Sequence, residues 1–435
     1  MKLCFVNQPW TIAAPPRGSD STGIWSYQIG NRLARRCQVT YYGCPTNLNS
    51  RKNPQHSSVP SQIEYRAISQ KIDNILRIPK KIVTLLKFNS KLPYFGSAWF
   101  NFGYGWQIAK DSAKENYDII HIHNFSQFVP IIRTENTEAK IVLHLHCEWV
   151  NRLEREAIAT RLSKADLVIS CSDYVTNKIK TRFPDYASKC ATVNNGVDAD
   201  YFVPGDRDYL KNDDAPQILF VGRISPEKGI HDLIDAFVKL TEKHPQAELT
   251  IAGPHLVVEK EFLFNLQHEP EVQALEPFYK IDYLKHIKSK IPPHLASRVI
   301  FTGSLAQPQL LPYYQKADVV INPSLSEAFG MSLVEAMATQ TPVVATNIGG
   351  MPEIVDEGVT GFLVDPGNSQ ALASKMVEII DNPQKARAMG KAGRTKVLQR
   401  YCWSKIAESL VDRYADIGVK LESDETQKTV AQSVS

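Results

Sequence analysis

Two carboxylates carry the most specific chemical signal in this sequence. Glu327 and Glu335 lie in Ser324-Leu-Ser-Glu327-Ala-Phe-Gly330-Met-Ser-Leu-Val-Glu335-Ala-Met-Ala-Thr, directly after the apolar run Val319–Asn322. Were every residue between them helical, they would stand about 12 Å apart along the axis. They therefore suit different parts of one elongated ligand rather than one atom. A carboxylate accepts from two vicinal hydroxyls at once, so each can hold a sugar diol. Exposed helix glutamates are common; the flanking glycines and the apolar order around this pair are what set it apart.

A second cluster is cationic. Ile218-Leu-Phe-Val-Gly222-Arg223-Ile-Ser-Pro-Glu-Lys228-Gly229-Ile reads as a strand, a tight turn and a helix with apolar Ile230, Leu233, Ile234, Phe237 and Val238. Arg223 and Lys228 thus flank a loop at the carboxyl end of a strand, where open α/β sheets bind ligands. A guanidinium fork and a compact ammonium together match a diphosphate. Taken alone, the two also read as a solvated pair of loop charges. Gly23 falls near the start of a helix expected over Ile24–Arg36, where unpaired N–H groups attract phosphate. Plain turn chemistry accounts for Gly23 equally well.

Other signals lead away from nucleotide redox and metal chemistry. Gly103-Tyr-Gly105 is followed by Ile108 where a dinucleotide fingerprint needs its third glycine, and neither a Walker loop nor H-E-x-x-H occurs. Asp198-Ala-Asp200 and Asp206-Arg-Asp208 are D-x-D triplets, a form that suggests a metal-bound nucleotide. Their place in a turn-rich linker points to turn chemistry instead.

These residues need a scaffold, and the apolar pattern supplies one. Short β-branched runs alternate with helix-period stretches, the signature of a parallel sheet covered on both faces. Leu3–Val6, Val39–Tyr42, Ile119–Ile122, Ile141–Leu145, Leu167–Ser170 and Ala191–Val193 read as strands of one half. Ile218–Val221, Leu249–Ala252, Val299–Thr302, Val319–Asn322, Val343–Thr346 and Phe362–Val364 restart the grammar in the other. The fold class is α/β, with two Rossmann-like domains. The turn-rich stretch after Asn194 places the boundary near residue 205, giving domains over 1–205 and 206–402. Residues 46–100 lack a clear period, and Leu256–Pro293 interrupts the second domain. The tail 421–435 has almost no large apolar side chains and is expected to be flexible.

With 435 residues, 43% hydrophobic and 22% charged, the chain has an ordinary globular composition that excludes fibres and wholesale disorder. Seven cysteines without a C-x-x-C pair read as core thiols of a reducing compartment, favouring the cytoplasm. The first residues turn polar too early for a signal peptide, and no run of 18 apolar residues occurs. Net charge is +4 (50 − 46), but residues 1–110 hold 15 Lys/Arg against Asp20, Glu64 and Asp73, or +12, which leaves −8 for the rest.

Glu327-x7-Glu335, the following Glu-Ala-Met-Ala, Pro342-Val-Val-Ala-Thr, Gly349-Gly-Met-Pro-Glu353 and Gly361-Phe-Leu-Val resemble the nucleotide-sugar site of glycosyltransferase family 4. Val221-Gly-Arg-Ile-Ser-Pro-Glu-Lys-Gly229 and Asn195-Gly-Val-Asp198 resemble it too. The resemblance is strong over most of 165–400 and loose over 1–160. It implies the GT-B fold, two Rossmann-like domains facing each other across a cleft, with the helical segment 403–420 packing back on the first. It also implies a retaining glycosyltransferase that takes a hexose-type sugar from a nucleotide diphosphate sugar.

Site roles follow from the resemblance residue by residue. Arg223 and Lys228 would neutralise the diphosphate leaving group, Glu335 would hold the ribose diol, and Glu327 would orient the donor sugar beside backbone N–H groups of Phe329, Gly330 and Met331. Gly303, Ser304 and Leu305 would lie near the base, and Gly23 near the donor phosphates. His146, ending Ile-Val-Leu-His144-Leu-His146, matches the amino-domain histidine that faces the donor sugar. His121, His123 and His144 read as strand-end packing or acceptor contacts. Ala328 and Gln340 stand where the family has glycine, which bears on the fine geometry of the sugar pocket and on a left-handed turn after the helix.

No metal and no cofactor are expected, the nucleotide sugar being a substrate. The resemblance further implies a glycan, lipid-linked or other hydroxyl acceptor, in polysaccharide or glycoconjugate biosynthesis. Residues 66–91, with Arg66, Lys71, Arg77, Lys80, Lys81, Lys87 and Lys91 among apolar residues, suit an anionic membrane surface or an ordinary solvated face, although Pro79 interrupts any single helix. The enzyme would then be cytoplasmic or peripheral on the inner face of the plasma membrane, and no nucleic-acid partner is expected. Two other functions stay open: a sugar-nucleotide epimerase of GT-B fold, and a non-catalytic sugar-nucleotide-binding regulator or partner subunit.

Overall fold

A computed structural model describes residues 1–15, 21–45, 63–76, 94–206, 215–257, 263–264 and 270–421. Within these residues the chain forms two compact units. One comprises Met1–Cys171, Val175–Val193 and the stretch from Ile406; the other comprises Ser172–Tyr174 and Asn194–Lys405. The change from one to the other falls just after the last strand of the first sheet, ahead of the boundary expected near residue 205. The tail beyond residue 421 lies outside the described residues.

The first unit holds a parallel sheet of β1 (Lys2–Val6), β2 (Gln38–Gly43), β3 (Ile63–Ala67), β4 (Ile119–His123), β5 (Lys140–Leu145), β6 (Leu167–Ser170) and β7 (Cys190–Thr192). Their order is β3-β2-β1-β4-β5-β6-β7. The central strands are buried along nearly their whole length, as β4 and β5 show, so apolar residues dominate them, with His121, His123 and His144 as buried exceptions. β3 is absent from the sequence reading because it is an edge strand whose Glu64 and Arg66 break the apolar run.

The second unit repeats the plan with β8 (Gln217–Val221), β9 (Glu248–Ala252), β10 (Val299–Gly303), β11 (Val319–Asn322), β12 (Val343–Thr346) and β13 (Gly361–Val364). These too are parallel, in the order β10-β9-β8-β11-β12-β13. Both sheets therefore reverse strand order once, between β1 and β4 and between β8 and β11. Beyond the carboxyl ends of the strands at such a point lies the ligand crevice of a doubly wound sheet.

Gly103 and Gly105 have a packing role. Both sit in the helix Phe102–Glu115, where a Cβ on Gly103 would fall 2.6 Å from Ile72 and one on Gly105 2.6 Å from Phe128. The carboxylate of Asp73 accepts from the Gly103 and Tyr104 N–H groups at 2.7 and 2.8 Å, filling the helix start.

The basic segment 66–91 falls largely outside the described residues, which include nothing between 77 and 93. Arg66 itself is spent inside the unit, ion-paired with Glu64, Asp111 and Glu115. No helix of the described residues is long and apolar enough to cross a membrane.

Candidate active site

Both cations of the second unit come from the turn that leaves β8, beside the switch point. Arg223 follows the strand by two residues and Lys228 ends the short helical turn Pro226–Lys228. Buried Glu227 organises the turn. It accepts from Arg223 Nη2 at 3.0 Å, from the Ser225 hydroxyl and from Tyr279 at 3.3 Å. A guanidinium held this way presents its remaining N–H groups in a fixed direction.

The loop leaving β11 brings Glu327 to this turn. Lys228 Nζ lies 2.7 Å from Glu327 Oε2, and both side chains are more than four-fifths buried. Burial by itself would raise the Glu327 carboxyl, but the Lys228 ammonium, the Phe329 N–H and Arg223 hold it below the usual carboxylate range. The carboxylate is therefore ionised and fixed. Its backbone is fixed as well, because the Gly350 N–H donates to the Glu327 carbonyl at 3.2 Å. Gly349 makes this turn possible. Its φ is 59° and a Cβ there would fall 1.8 Å from the Glu327 carbonyl oxygen, so both conformation and space demand glycine.

Glu335 sits on the helix Met331–Ala338 and is buried. Tyr314 OH donates to its Oε2 at 2.7 Å and Gln307 Nε2 to its Oε1 at 3.1 Å. Burial raises its carboxyl above the usual range, and the two donors counter the rise. Each oxygen keeps a further lone pair for a ligand hydroxyl. Gly330 precedes this helix at φ 115°, so the Gly330 and Met331 N–H groups lie at its amino end. Phe329 is buried against Tyr401, with ring centroids 5.8 Å apart. Gly303 ends β10 and Ser304 and Leu305 follow it, the first two exposed and Leu305 half-buried. The structure thus joins Lys228 directly to Glu327, while Glu335 is held by a separate set of donors.

Asp198-Ala-Asp200 is a turn, with Asp198 Oδ1 accepting from the Asp200 and Tyr201 N–H groups at 3.2 and 3.1 Å. Of the second triplet only Asp206 lies within the described residues.

The first unit carries His146, one residue past β5, and Gly23, buried in the first turn of the helix Ser21–Leu33. His121, His123 and His144 are wholly buried, so they pack in the core rather than meet an acceptor. All four imidazoles ring Trp25, with centroids 4.6–5.9 Å away. Burial, with mutual repulsion, holds His121, His123 and His144 well below the usual histidine range, so they are neutral. One ring nitrogen from each of these three lies within 4.8 Å of the others, a spacing that a metal ion accepts. Five of their six nitrogens are committed to hydrogen bonds with one another, with Tyr414, with Ser26 and with His146, while the buried His144 Nε2 has no hydrogen-bond partner among the described residues.

Sequence models of two families match this chain. One, described as Glycosyl transferases group 1, covers residues 206–396; the other, Glycosyltransferase Family 4, covers residues 23–201. The chain belongs to the group 1, family 4 glycosyltransferases. It is 27% identical over 419 residues to a lipopolysaccharide 1,2-N-acetylglucosaminetransferase of Salmonella typhimurium, covering 94% of this chain and 96% of that protein. Among solved structures, sucrose-phosphate synthase of Thermosynechococcus elongatus superposes with a TM-score of 0.71 at 23% identity, covering 96% of this chain and 98% of the other. Anabaena HepE in complex with UDP-glucose gives 0.65 at 20% identity, covering 96% and 100%. These likenesses show the GT-B fold.

In this glycosyltransferase Gln340, which stands where the family has glycine, adopts φ 61°, so the left-handed turn after the helix is kept without the residue that suits it. Sequence reasoning missed Ser225 and Tyr279 around Arg223, Gln307 and Tyr314 around Glu335, and Asn7 and Ser26 behind the histidines. None belongs to a motif that names its role. The available signal was positional: a tyrosine on a helix leading into β11, and a polar residue at the carboxyl end of β1.

Proposed function

We propose that this glycosyltransferase moves a hexose-type sugar from a nucleotide diphosphate sugar to a hydroxyl acceptor, with retention of anomeric configuration. The observation that carries the reading is the fixed group formed by Lys228, Glu327 and the Glu227-held Arg223 beside the β8/β11 switch point. Two preorganised cations next to an ionised carboxylate match a ligand with a diphosphate on one side and hydroxyls on the other.

In this reading Arg223 and Lys228 stabilise the diphosphate as the bond from sugar C1 to phosphate oxygen breaks. Glu327 and the N–H groups of Phe329, Gly330 and Met331 orient the sugar hydroxyls, and Glu335 takes the ribose diol with its free lone pairs. The acceptor oxygen bonds to C1 from the face the diphosphate leaves, and its proton passes to the departing phosphate oxygen. The cations carry the leaving-group charge, so the step is written without a metal. The resemblance to the family also assigns His146 a role toward the donor sugar and Gly23 one toward its phosphates.

Several relatives support a sugar-nucleotide donor and a glycan-type acceptor. HepE structures contain UDP and glucose, and the Salmonella relative is named for transfer to lipopolysaccharide. We place the acceptor in the same broad class, a glycan or lipid-linked saccharide, met at the cytoplasmic face of a membrane.

The test is a panel of UDP-, GDP- and ADP-sugars in thermal shift, followed by donor hydrolysis without acceptor, on wild type and Glu335→Ala. Stabilisation by one nucleotide class that disappears in Glu335→Ala is the expected result. A folded protein that answers no nucleotide sugar would overturn the reading in favour of a regulator or partner subunit.

A further inference from the structure

The connection from β9 to β10 carries the stretch 256–293 that interrupts the second unit, and its residues 276–290 are fastened to the helix Ile230–Thr241. Phe278 lies in the short turn Glu276–Lys280, with its ring centroid 4.5 Å from that of His231. Tyr283, buried at the start of the helix Tyr283–Ser289, places its hydroxyl 2.9 Å from His231 Nδ1. Lys290 Nζ pairs with Asp235 at 2.8 Å. His231 and Asp235 both lie on Ile230–Thr241, the helix that begins directly after Lys228 and Gly229. The interrupting stretch and the cationic turn are therefore built on one base.

Tyr279 reaches from this fastened turn to the cationic one. Its hydroxyl donates to Glu227 Oε2 at 3.3 Å, and the Ser225 hydroxyl donates to the same oxygen. Glu227 Oε1 accepts from Arg223 Nη2 at 3.0 Å. A carboxylate is planar and turns as one piece about its last side-chain bond, a soft two-fold torsion. Donors on Oε2 therefore set where Oε1 points, and with it the guanidinium. Burial and the Glu227 charge both push the Tyr279 phenol up, so it stays a donor at neutral pH. Lys228 is held differently, by Glu327 at 2.7 Å, so Tyr279 acts on one cation of the two.

We propose that Tyr279, carried by the β9–β10 connection, is a positioning residue that fixes Arg223 through Glu227 and thereby makes the turn prefer a diphosphate to a monophosphate. The proposal deepens the reading of Arg223 and Lys228 as diphosphate ligands and rests on it for the ligand. One phosphoryl group is satisfied by one cation, for which Lys228 suffices. Two adjacent phosphoryl groups use both, so a guanidinium that swings weakens the diphosphate more than the monophosphate.

Two measurements on the full chain test this. The first needs no ligand: ¹⁵N-arginine NMR of the guanidinium groups, with Arg223 assigned by the loss of its signal in Arg223→Lys. In wild type the Arg223 guanidinium is expected to rotate slowly beside that of the exposed Arg387. In Tyr279→Phe its rotation is expected to be about fivefold faster, the worth of one net hydrogen bond. The second is calorimetric titration with UDP, GDP and ADP and with UMP, GMP and AMP. For the base that binds, Tyr279→Phe is expected to weaken the diphosphate about fivefold and the monophosphate less than about twofold. Fast rotation of Arg223 in wild type, or rotation unchanged in Tyr279→Phe, overturns the positioning role. Equal losses for the two nucleotides, or none, overturn the preference. Should Tyr279→Phe fail to fold, Glu227→Gln tests the same route: Arg223 is expected to be released, and an unchanged guanidinium overturns the proposal. A wild type that binds no nucleoside diphosphate sinks the donor reading and the preference with it, while the rotation measurement still judges the positioning role.

Discussion

Lys228 Nζ and Glu327 Oε2 meet at 2.7 Å although 99 residues separate them in the chain. The pair does two things at once. It keeps Glu327 ionised where burial would protonate it, and it holds the ammonium at a place where a second anion can join. Replacing Lys228 by Met leaves a largely buried carboxylate without its cation, which is expected to cost about 2 kcal/mol of stability. The double variant Lys228→Met/Glu327→Gln is expected to recover most of that loss, since no lone charge remains. Urea unfolding of wild type and the three variants measures the coupling, and additive losses would show that the pair contributes nothing. Turnover is expected to fall about 100-fold in either single variant.

Tyr314→Phe removes one of the two donors on Glu335 while leaving the ring in place. The carboxyl then rises further, because burial already pushes it up and one counterweight is gone. Donor affinity is expected to fall about tenfold, in line with a hydrogen bond to a charged group. Nucleotide-sugar titration by calorimetry checks this; unchanged affinity would mean that Glu335 does not depend on Tyr314 for its charge or orientation.

Two turn substitutions are expected to move stability in opposite directions. Gly349→Ala places a Cβ 1.8 Å from the Glu327 carbonyl oxygen at φ 59°, so the loop must shift, with a loss of about 2 kcal/mol or more and loss of the donor-induced thermal shift. Gln340→Gly relieves a left-handed non-glycine residue and is expected to gain about 0.5–1 kcal/mol. Unfolding midpoints of the two variants measure both signs.

The histidine core predicts acid sensitivity. His121, His123 and His144 have folded values depressed below 6.5 by burial, so above that pH both folded and unfolded forms are neutral and the full stability is present. As pH falls below 6.5 the unfolded chain takes up protons that the folded core refuses. Stability is therefore expected to drop by up to about 1.4 kcal/mol per pH unit for each of the three. Urea unfolding of the first unit between pH 7.5 and 5.5, followed by a probe at Trp25, reads this slope. A flat profile would mean that the imidazoles accept protons inside the fold.

The sequence by itself determined the local pieces. Runs such as Val319–Ile321 and Ile141–Leu143 are apolar at every position because strands buried on both faces are mostly so, and runs of this kind marked twelve of the strands to within a residue or two. Arg223, Lys228, Glu327 and Glu335 were legible because each lies within a few residues of a strand end or helix start, where position in the chain already implies position on the ligand edge of the sheet. The tertiary structure alone decided which charge meets which. Strand order places the β8 turn beside the β11 loop, and so Lys228 beside Glu327; it places β1 beside β4 and β4 beside β5, and so Asn7 behind His123 and His123 against His146. β3 was missed because Glu64 and Arg66 break its apolar run, and the donors on Glu335 because they come from another segment. A hydrogen bond spans about 3 Å and carries no trace in chain separation, so partners from distant segments become visible only when the sheet has brought their strands together.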